Sequence, residues 1–205
     1  WKTGEYSTLS PLVADGKIIT GVSGGEFGIR GHITALNADT GEVAWKTYTI
    51  PAPGEPGSNS WRGEDWKTGG GSIWMQGNYD PETKLAYFGT GNGAPWMPDT
   101  RPGDNLYTSS VLAIDVTTGA IKGHHQYHWN DAWDWDEVSA PLLIDYERNG
   151  KKVKGMVHAG RNGYLWWLSR GDGDIGFVEA ENYVEQTVFD KIDEKTGRPS
   201  YNQDK

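Results

Sequence analysis

Apolar positions in this chain follow the two-residue period of β-strands, and no segment sustains the helical period. Short alternating or apolar runs are separated by turn signals such as Asp15-Gly16, Thr118-Gly119 and Asn149-Gly150, which supply the positive-φ positions that hairpins need. The chain is therefore predicted to be all-β, with strands at residues 10–14, 17–23, 32–37, 43–48, 73–79, 85–90, 109–115, 121–127, 140–145, 154–159 and 164–169.

A seven-residue pattern occurs three times, at residues 35–41, 113–119 and 191–197. Each copy carries Asn or Asp at its third position and closes with Thr-Gly before the next strand. The intervals from residue 37 to 115 and from 115 to 193 are both 78 residues. Roughly four strands fit such an interval, so the repeat predicts about three β-propeller blades, the last incomplete. The alternative is three unrelated hairpins that share common turn chemistry.

Two longer connections, residues 50–70 and 92–107, are rich in Gly, Pro and polar residues. Segments of this kind run over the surface and often carry function, so we expect them to cap the sheet ends.

About three blades cannot close a ring, because an open arc leaves strand edges exposed. Together with a first residue that is not Met, this predicts that residues 1–205 are an internal part of a longer propeller domain.

Composition narrows the class of protein without selecting a function. The 205 residues include 29 Gly and 11 Trp, a balance that suits short strands joined by tight turns. The formal net charge of −9 argues against binding to nucleic acid or to an anionic membrane surface. With no Cys, this stretch can form neither disulfides nor Cys-based zinc sites, and no apolar run is long enough to span a bilayer.

Four oxygen-bearing side chains lie at strand ends or on Gly-rich loops: Glu26, Asn92, Asp134 and Asp136. Carboxylates with an amide oxygen form a hard ligand set that suits Ca²⁺ or a similar cation and does not suit zinc or copper. Taken singly, each of these residues has a plainer explanation as a turn former or a solvated surface group. In the run around Asp134, Trp alternates with Asp, and acids among large apolar groups tend to have the raised pKa of a general base.

Other readings remain open at this level. Two acids could indicate a glycoside hydrolase, although Asp134 and Asp136 are close in sequence for opposite sides of a sugar. A propeller scaffold that binds protein partners would need none of these acids. Trp74 could simply be a core residue and Arg161 a surface charge. The five histidines show no metal-ligand spacing and are interpreted as structural or exposed.

Five motifs occur in order along the chain: GVSGGEFGIRG at 21–31, GGGSIW at 69–74, FGTGNGAPW at 88–96, DAWD at 131–134 and RNG at 161–163. Together they resemble the methanol/ethanol dehydrogenase family that depends on pyrroloquinoline quinone (PQQ). A Thr-Gly-x-x-x-Trp corner ending at Trp45 is also similar to the family's tryptophan-docking motif. The resemblance covers nearly the whole chain and implies about three of the roughly eight four-stranded blades of a quinoprotein propeller.

The resemblance implies a role for each site residue. Asp134 would be the base on the alcohol hydroxyl, and Arg161 would contact the quinone oxygens and stabilise negative charge on them. The metal ligands would be Glu26, Asn92, Asp134 and Asp136. Trp74 would stack beneath PQQ, and the groups that bind its carboxylates and rim would be Thr8, Ser23, Gly24, Gly25 and Ser72.

The resemblance also implies a reaction and partners. The reaction would oxidise a primary alcohol to an aldehyde by hydride transfer to metal-bound PQQ, with electrons passing to a cytochrome c in the periplasm. A homodimer is one assembly that it allows.

Asp136 stands where lanthanide-using members carry Asp and calcium-using members a small neutral residue, so a lanthanide is favoured over Ca²⁺. The family's adjacent cysteine pair is absent and is expected before residue 1, and His128-Trp129-Asn130 departs from the usual sequence of the substrate pocket.

Overall fold

The computed structural model describes residues 2–148 and 150–205, so Asn149 of the predicted Asn149-Gly150 turn lies outside the described residues. The described chain contains no α-helix and therefore no helix that could cross a membrane. Short 3-10 turns occur at Gly25–Phe27, Ser58–Ser60, Asp65–Thr68 and Pro98–Thr100. The strands are β1 Leu12–Ala14, β2 Lys17–Gly21, β3 His32–Asn37, β4 Val43–Tyr48, β5 Asn78–Asp80, β6 Leu85–Gly89, β7 Ser110–Asp115, β8 Ile121–Gln126, β9 Leu142–Arg148, β10 Lys151–Ala159, β11 Tyr164–Arg170, β12 Ile175–Asn182, β13 Phe189–Ile192 and β14 Pro199–Tyr201.

The strands form three antiparallel four-stranded meanders and one two-stranded sheet. The first sheet is β1–β4, the second β5–β8 and the third β9–β12, each with its strands hydrogen-bonded in chain order, and β13 pairs with β14. Registers are regular, as in the β6–β7 pair that aligns Tyr87 with Ala113. The predicted all-β fold with about three four-stranded blades is confirmed.

The second sheet packs between the other two. Alternate residues of β6 and β7 point to opposite faces. Ala86, Phe88, Leu112 and Ile114 join a core with the first sheet, whereas Leu85, Tyr87, Val111 and Ala113 join a core with the third. Burial on both faces explains why β6 reads as an unbroken apolar run in place of an alternating one. Face-to-face stacking of successive four-stranded sheets is the arrangement of propeller blades.

The repeated corners have the same hydrogen bonds in all three copies. The side chain of Asn37 accepts hydrogen bonds from the backbone N–H groups of residues 39 and 40, and Asp115 and Asp193 do the same two and three residues ahead. The preceding blade then docks on the second corner: Trp45 Nε1 donates to the Val116 carbonyl at 2.9 Å, and a Cβ on Gly119 would lie 2.6 Å from the Trp45 ring.

The equal spacing of the corners does not mean one blade per interval. The first interval contains β4–β7, but the second contains β8–β13, so the expected four strands per unit is wrong there. The third sheet is complete, and the third corner joins β13 and β14 outside it, where Phe177 and His125 face Gly197. Interval length fails as a guide because long loops fill the first interval and hairpins fill the second.

Strand bounds were predicted closely where turns flank an apolar run, as for β3 and β4. Only residues 78 and 79 of the predicted strand 73–79 are in a strand, and β12, β13 and β14 were not predicted. In a four-stranded antiparallel meander, the entry, the connection between the second and third strands, and the exit all lie at one end. The connections at 22–31, 49–77, 90–109, 127–141 and 160–163 therefore share an end of the sheets, opposite the first two Thr-Gly corners.

Candidate site at the shared end of the sheets

A glycine-rich backbone seam brings three of these connections together. Gly70 exchanges hydrogen bonds with the 29–31 segment, donating to the Ile29 carbonyl at 3.1 Å and accepting from Gly31 N–H at 2.8 Å. On its other side, Gly71 N–H donates to the Asn92 carbonyl at 2.9 Å, and Gly91 N–H donates to the Ser72 carbonyl at 2.8 Å. Gly70 has a φ of +75°, and a Cβ there would lie 2.9 Å from the Asn92 carbonyl, so glycine is required for this approach.

The predicted PQQ-rim residues lie along this seam. Thr8 Oγ1 lies 2.9 Å from Ser23 Oγ and donates to the Trp74 carbonyl at 3.1 Å, which links three segments. Gly24, with a φ of +106°, precedes the turn Gly25–Phe27 that carries Glu26. A Cβ on Gly25 would lie 3.2 Å from Ser72 Oγ and 3.7 Å from Asn92 Oδ1, so the absence of a side chain leaves space between those groups.

Asp136 reaches back to the Asn92 segment. Its Oδ1 accepts a hydrogen bond from Asn92 N–H at 3.0 Å, and its Oδ2 lies 3.6 Å from Arg161 Nη1. Burial raises the pKa of Asp136 to about 6, against the lowering effect of hydrogen bonds from Asn92 and Trp74. Asp136 therefore joins three of the predicted site residues, Asn92, Trp74 and Arg161.

Asp134 lies near Asp136 and Arg161, close enough to interact with both electrostatically. Its backbone has a φ of +59°, a left-handed conformation that Asp and Asn tolerate better than most residues. Burial, followed by the charges of Glu26 and Asp131, raises the pKa of the Asp134 carboxyl, and Arg161 opposes this shift. A carboxyl with a raised pKa between two acids and one arginine has the electrostatic setting of a proton acceptor.

The oxygen cluster, defined as Glu26, Asn92, Asp134 and Asp136, fits a hard cation by its chemistry. Among the described residues, Asn92 Oδ1 and Asp134 Oδ1 are buried without a hydrogen-bond partner, which is costly for a polar atom unless a ligand satisfies it. No three His, Cys, Asp or Glu side chains of the described chain lie close enough together to hold a metal ion. The three carboxylates thus share a region, and binding would have to draw them together.

Sequence reasoning missed a buried polar group behind this site. Asp131, Glu137, His128 and His158 are 0–3% exposed and contact one another, although the histidines had been interpreted only as structural or exposed. Arg101 is also fully buried and donates to the carbonyls of Pro95, Trp96 and Asp131, which ties the Asn92 loop to the Asp134 segment. The available signal was the cluster of His and acidic residues between β8 and β9.

The shifted pKa of Asp136 predicts a pH-dependent stability in metal-free protein. Because the folded-state pKa is raised, ionisation of Asp136 costs the folded protein stability. The free energy of unfolding is therefore highest below about pH 4, where Asp136 is protonated in both states, and falls as pH rises through about 6. We expect Asp136→Asn, which keeps an oxygen for Asn92 N–H, to match wild type near pH 4 and to be more stable by about 3 kcal/mol at pH 7. Denaturant unfolding with a chelator measures this difference. A difference that stays constant with pH would contradict the prediction.

The stacked four-stranded sheets, with an acidic, oxygen-rich site at their shared end, define the chain as part of a β-propeller protein. Comparison with known sequences identifies which propeller family this is. Residues 2–195 match the PQQ family described as the glucose/ethanol/alcohol dehydrogenase β-propeller domain. The chain belongs to this family, which confirms the resemblance read from its motifs.

Individual relatives agree with this assignment. The chain is 41% identical to the quinoprotein alcohol dehydrogenase PedH of Pseudomonas putida over 98% of its own length and 36% of the relative's. It is 38% identical to methanol dehydrogenase [cytochrome c] subunit 1 of Methylorubrum extorquens, covering 97% of this chain and 34% of the relative. A solved europium-containing methanol dehydrogenase superposes with a TM-score of 0.90 at 34% identity, covering 97% of this chain and 37% of that one. The chain thus spans about a third of the length of these relatives.

Proposed function

We propose that this chain forms part of the active site of a PQQ-dependent dehydrogenase that oxidises a primary alcohol to an aldehyde. The observation that carries the proposal is the approach of Glu26, Asn92 and the Asp134–Asp136 pair from three separate connections, with two buried oxygens lacking a partner. Homology to quinoprotein alcohol dehydrogenases supports the reaction class. Glu26 is exposed, but a propeller scaffold would have no reason to bury the oxygens of Asn92 and Asp134 without a hydrogen-bond partner.

The residues present fit both PQQ and a cation. The oxygen cluster would hold the cation, Trp74 would lie beneath PQQ, and Thr8, Ser23, Gly24, Gly25 and Ser72 would bind its edge. When bound, PQQ supplies the hydride acceptor, and the cation supplies Lewis-acid polarisation of the quinone.

The protein's own contribution is proton transfer and charge placement. Asp134 would accept the proton of the alcohol hydroxyl, since its raised pKa makes the carboxylate a stronger base than an exposed Asp. Arg161 would stabilise negative charge on the reacting oxygens and already lies near Asp136. The buried seam of Gly69–Ser72 would keep the Glu26 and Asn92 segments at a fixed separation, which limits reorganisation during the reaction.

We further propose a lanthanide as the cation, with Ca²⁺ as the alternative. Asp136 adds a third carboxylate to the oxygen cluster, and a trivalent ion gains more from this charge than a divalent one. A europium-containing relative of the same fold supports the proposal. Cytochrome c as electron acceptor is proposed from a relative's name, and a periplasmic location and a small alcohol substrate from the family resemblance.

Reconstitution of a protein carrying this sequence tests the function. We expect quenching of tryptophan fluorescence by PQQ only when La³⁺ or Ca²⁺ is present, and alcohol-dependent dye reduction by the loaded protein. The matched control is the same protein with PQQ and chelator. Absence of both PQQ binding and dye reduction would favour the scaffold alternative, and release of sugar from glycosides would favour a hydrolase.

A further inference from the structure

The buried group behind the oxygen cluster joins the two loops that carry the proposed catalytic side chains. Glu137 Oε2 lies 2.7 Å from His158 Nε2 and accepts a hydrogen bond from the backbone N–H of Arg161 at 3.2 Å. Glu137 Oε1 lies 3.6 Å from His128 Nδ1. Glu137 therefore links the 131–137 segment to the backbone of the turn that carries Arg161, beside the side-chain contact between Asp136 and Arg161.

The other end of the same segment is held by Asp131. Its two oxygens accept hydrogen bonds at 3.2 Å from the N–H groups of Trp133 and Trp135, on either side of Asp134. His128 Nε2 lies 3.3 Å from Asp131 Oδ1, so one imidazole contacts both ends of the segment. Glu137 N–H also donates to the Thr90 carbonyl at 3.3 Å, two residues before Asn92. These contacts connect the loops of Asn92, Asp134 and Arg161.

Stability alone does not explain a buried carboxylate here. Burying a charge is costly, and apolar groups of similar volume often serve a core equally well. Glu137 is fully buried, yet its hydrogen bonds go to a backbone N–H of a proposed catalytic loop and to a histidine at the end of β10. A fixed contact of this kind matters for catalysis, because a misplacement of about 1 Å can cost about 100-fold in rate.

We propose that Glu137 is a positioning residue whose reach sets the separation between Arg161 and the Asp134–Asp136 pair. The inference rests on the proposed function for its catalytic meaning. It does not need Glu137 to touch substrate, PQQ or metal.

Two conservative variants separate reach from charge. Glu137→Asp keeps the charge and shortens the side chain by one methylene. Glu137→Gln keeps the length, and its amide oxygen can occupy the Oε2 position while its amide N–H₂ faces His128. If reach is the essential property, Glu137→Asp lowers kcat about 10-fold with little change in KM, and Glu137→Gln stays within about 3-fold of wild type.

A second measurement does not depend on cofactor. Hydrogen exchange of the Arg161 amide in metal-free, PQQ-free protein is expected to accelerate about 10-fold in Glu137→Asp and to change little in Glu137→Gln. Glu179→Asp is the matched control, because Glu179 on β12 pairs with Arg148 on β9, away from the Arg161 turn, and the exchange is expected to change neither readout. Thermal unfolding of all variants identifies global destabilisation.

The outcomes are distinguishable. Unchanged exchange at Arg161 and unchanged kcat in Glu137→Asp would overturn the proposal, and so would equal losses in Glu137→Asp and Glu137→Gln. A wild-type protein that binds no PQQ would refute the proposed function, whereas the exchange measurement would still test the contact between Glu137 and the Arg161 turn.

Discussion

Asp134→Asn is expected to lower kcat about 1,000-fold at saturating metal and PQQ, in a protein that carries this sequence. Removal of a general base typically costs about 100- to 10,000-fold, and asparagine cannot accept the hydroxyl proton. Asparagine retains an oxygen for the cation and tolerates the left-handed backbone that Asp134 adopts, so folding and metal binding are expected to persist. Steady-state alcohol oxidation with metal content measured on the same sample tests the prediction.

Asp172→Asn is the control for this experiment. Asp172 is exposed in the turn between β11 and β12, so the exchange removes the same charge far from the oxygen cluster in sequence. We expect its kcat to match wild type. A kcat for Asp134→Asn within about 3-fold of wild type at full metal occupancy would show that Asp134 is not the base.

Local features of the fold were predictable because they depend on neighbouring residues. The Asn or Asp that opens each corner bonds the N–H groups two and three positions ahead, and this chemistry is visible in the sequence. Strands β3 and β4 were predictable for a similar local reason, because turn residues flank each of these apolar runs. β12 was not predicted, because Ile175–Asn182 mixes acids with apolar residues and its pairing with β11 decides its conformation.

The roles of the site residues could not be predicted from residue type and position alone. Glu26, Asn92 and Asp134 stood out as a possible hard-cation set by residue type and loop position, but only the resemblance to the PQQ family gave each a role, since any one of them could be a turn residue. Their proximity follows physically from the meander, which sends alternate connections to one end of each sheet. A repeat that predicts stacked meanders therefore contains this information, although it does not specify which loop residues point inward.

Burial of Glu137, His128 and His158 could not be predicted. These side chains are enclosed only because the third sheet packs on the second and Tyr127 stacks on His158, with ring centroids 4.4 Å apart. The same packing explains why the segment after β8 is ordered by polar contacts and not by strand pairing. Contacts between sheets depend on tertiary structure, and the sequence pattern records only the apolar part of them.

The second large effect is expected for Asp136→Ala. We expect this variant to bind La³⁺ about 100-fold more weakly than wild type and to lose lanthanide-dependent alcohol oxidation at limiting metal. The substitution removes one of three carboxylates from the oxygen cluster and leaves Asn92 N–H and Arg161 without their acidic partner. Titration with Tb³⁺, using tryptophan-sensitised luminescence, measures metal affinity separately from activity.

The decisive comparison is between ions. A trivalent ion loses more electrostatic energy than a divalent ion when one carboxylate is removed at the same distance, so the La³⁺ to Ca²⁺ affinity ratio should fall in Asp136→Ala. Asp99→Ala, an exposed charge removal in the loop after Asn92, should leave the ratio unchanged. Equal weakening for both ions would make Asp136 a general ligand and leave the choice of metal to the rest of the cluster. An unchanged La³⁺ affinity would remove Asp136 from the metal site altogether and reduce its role to the hydrogen bond with Asn92.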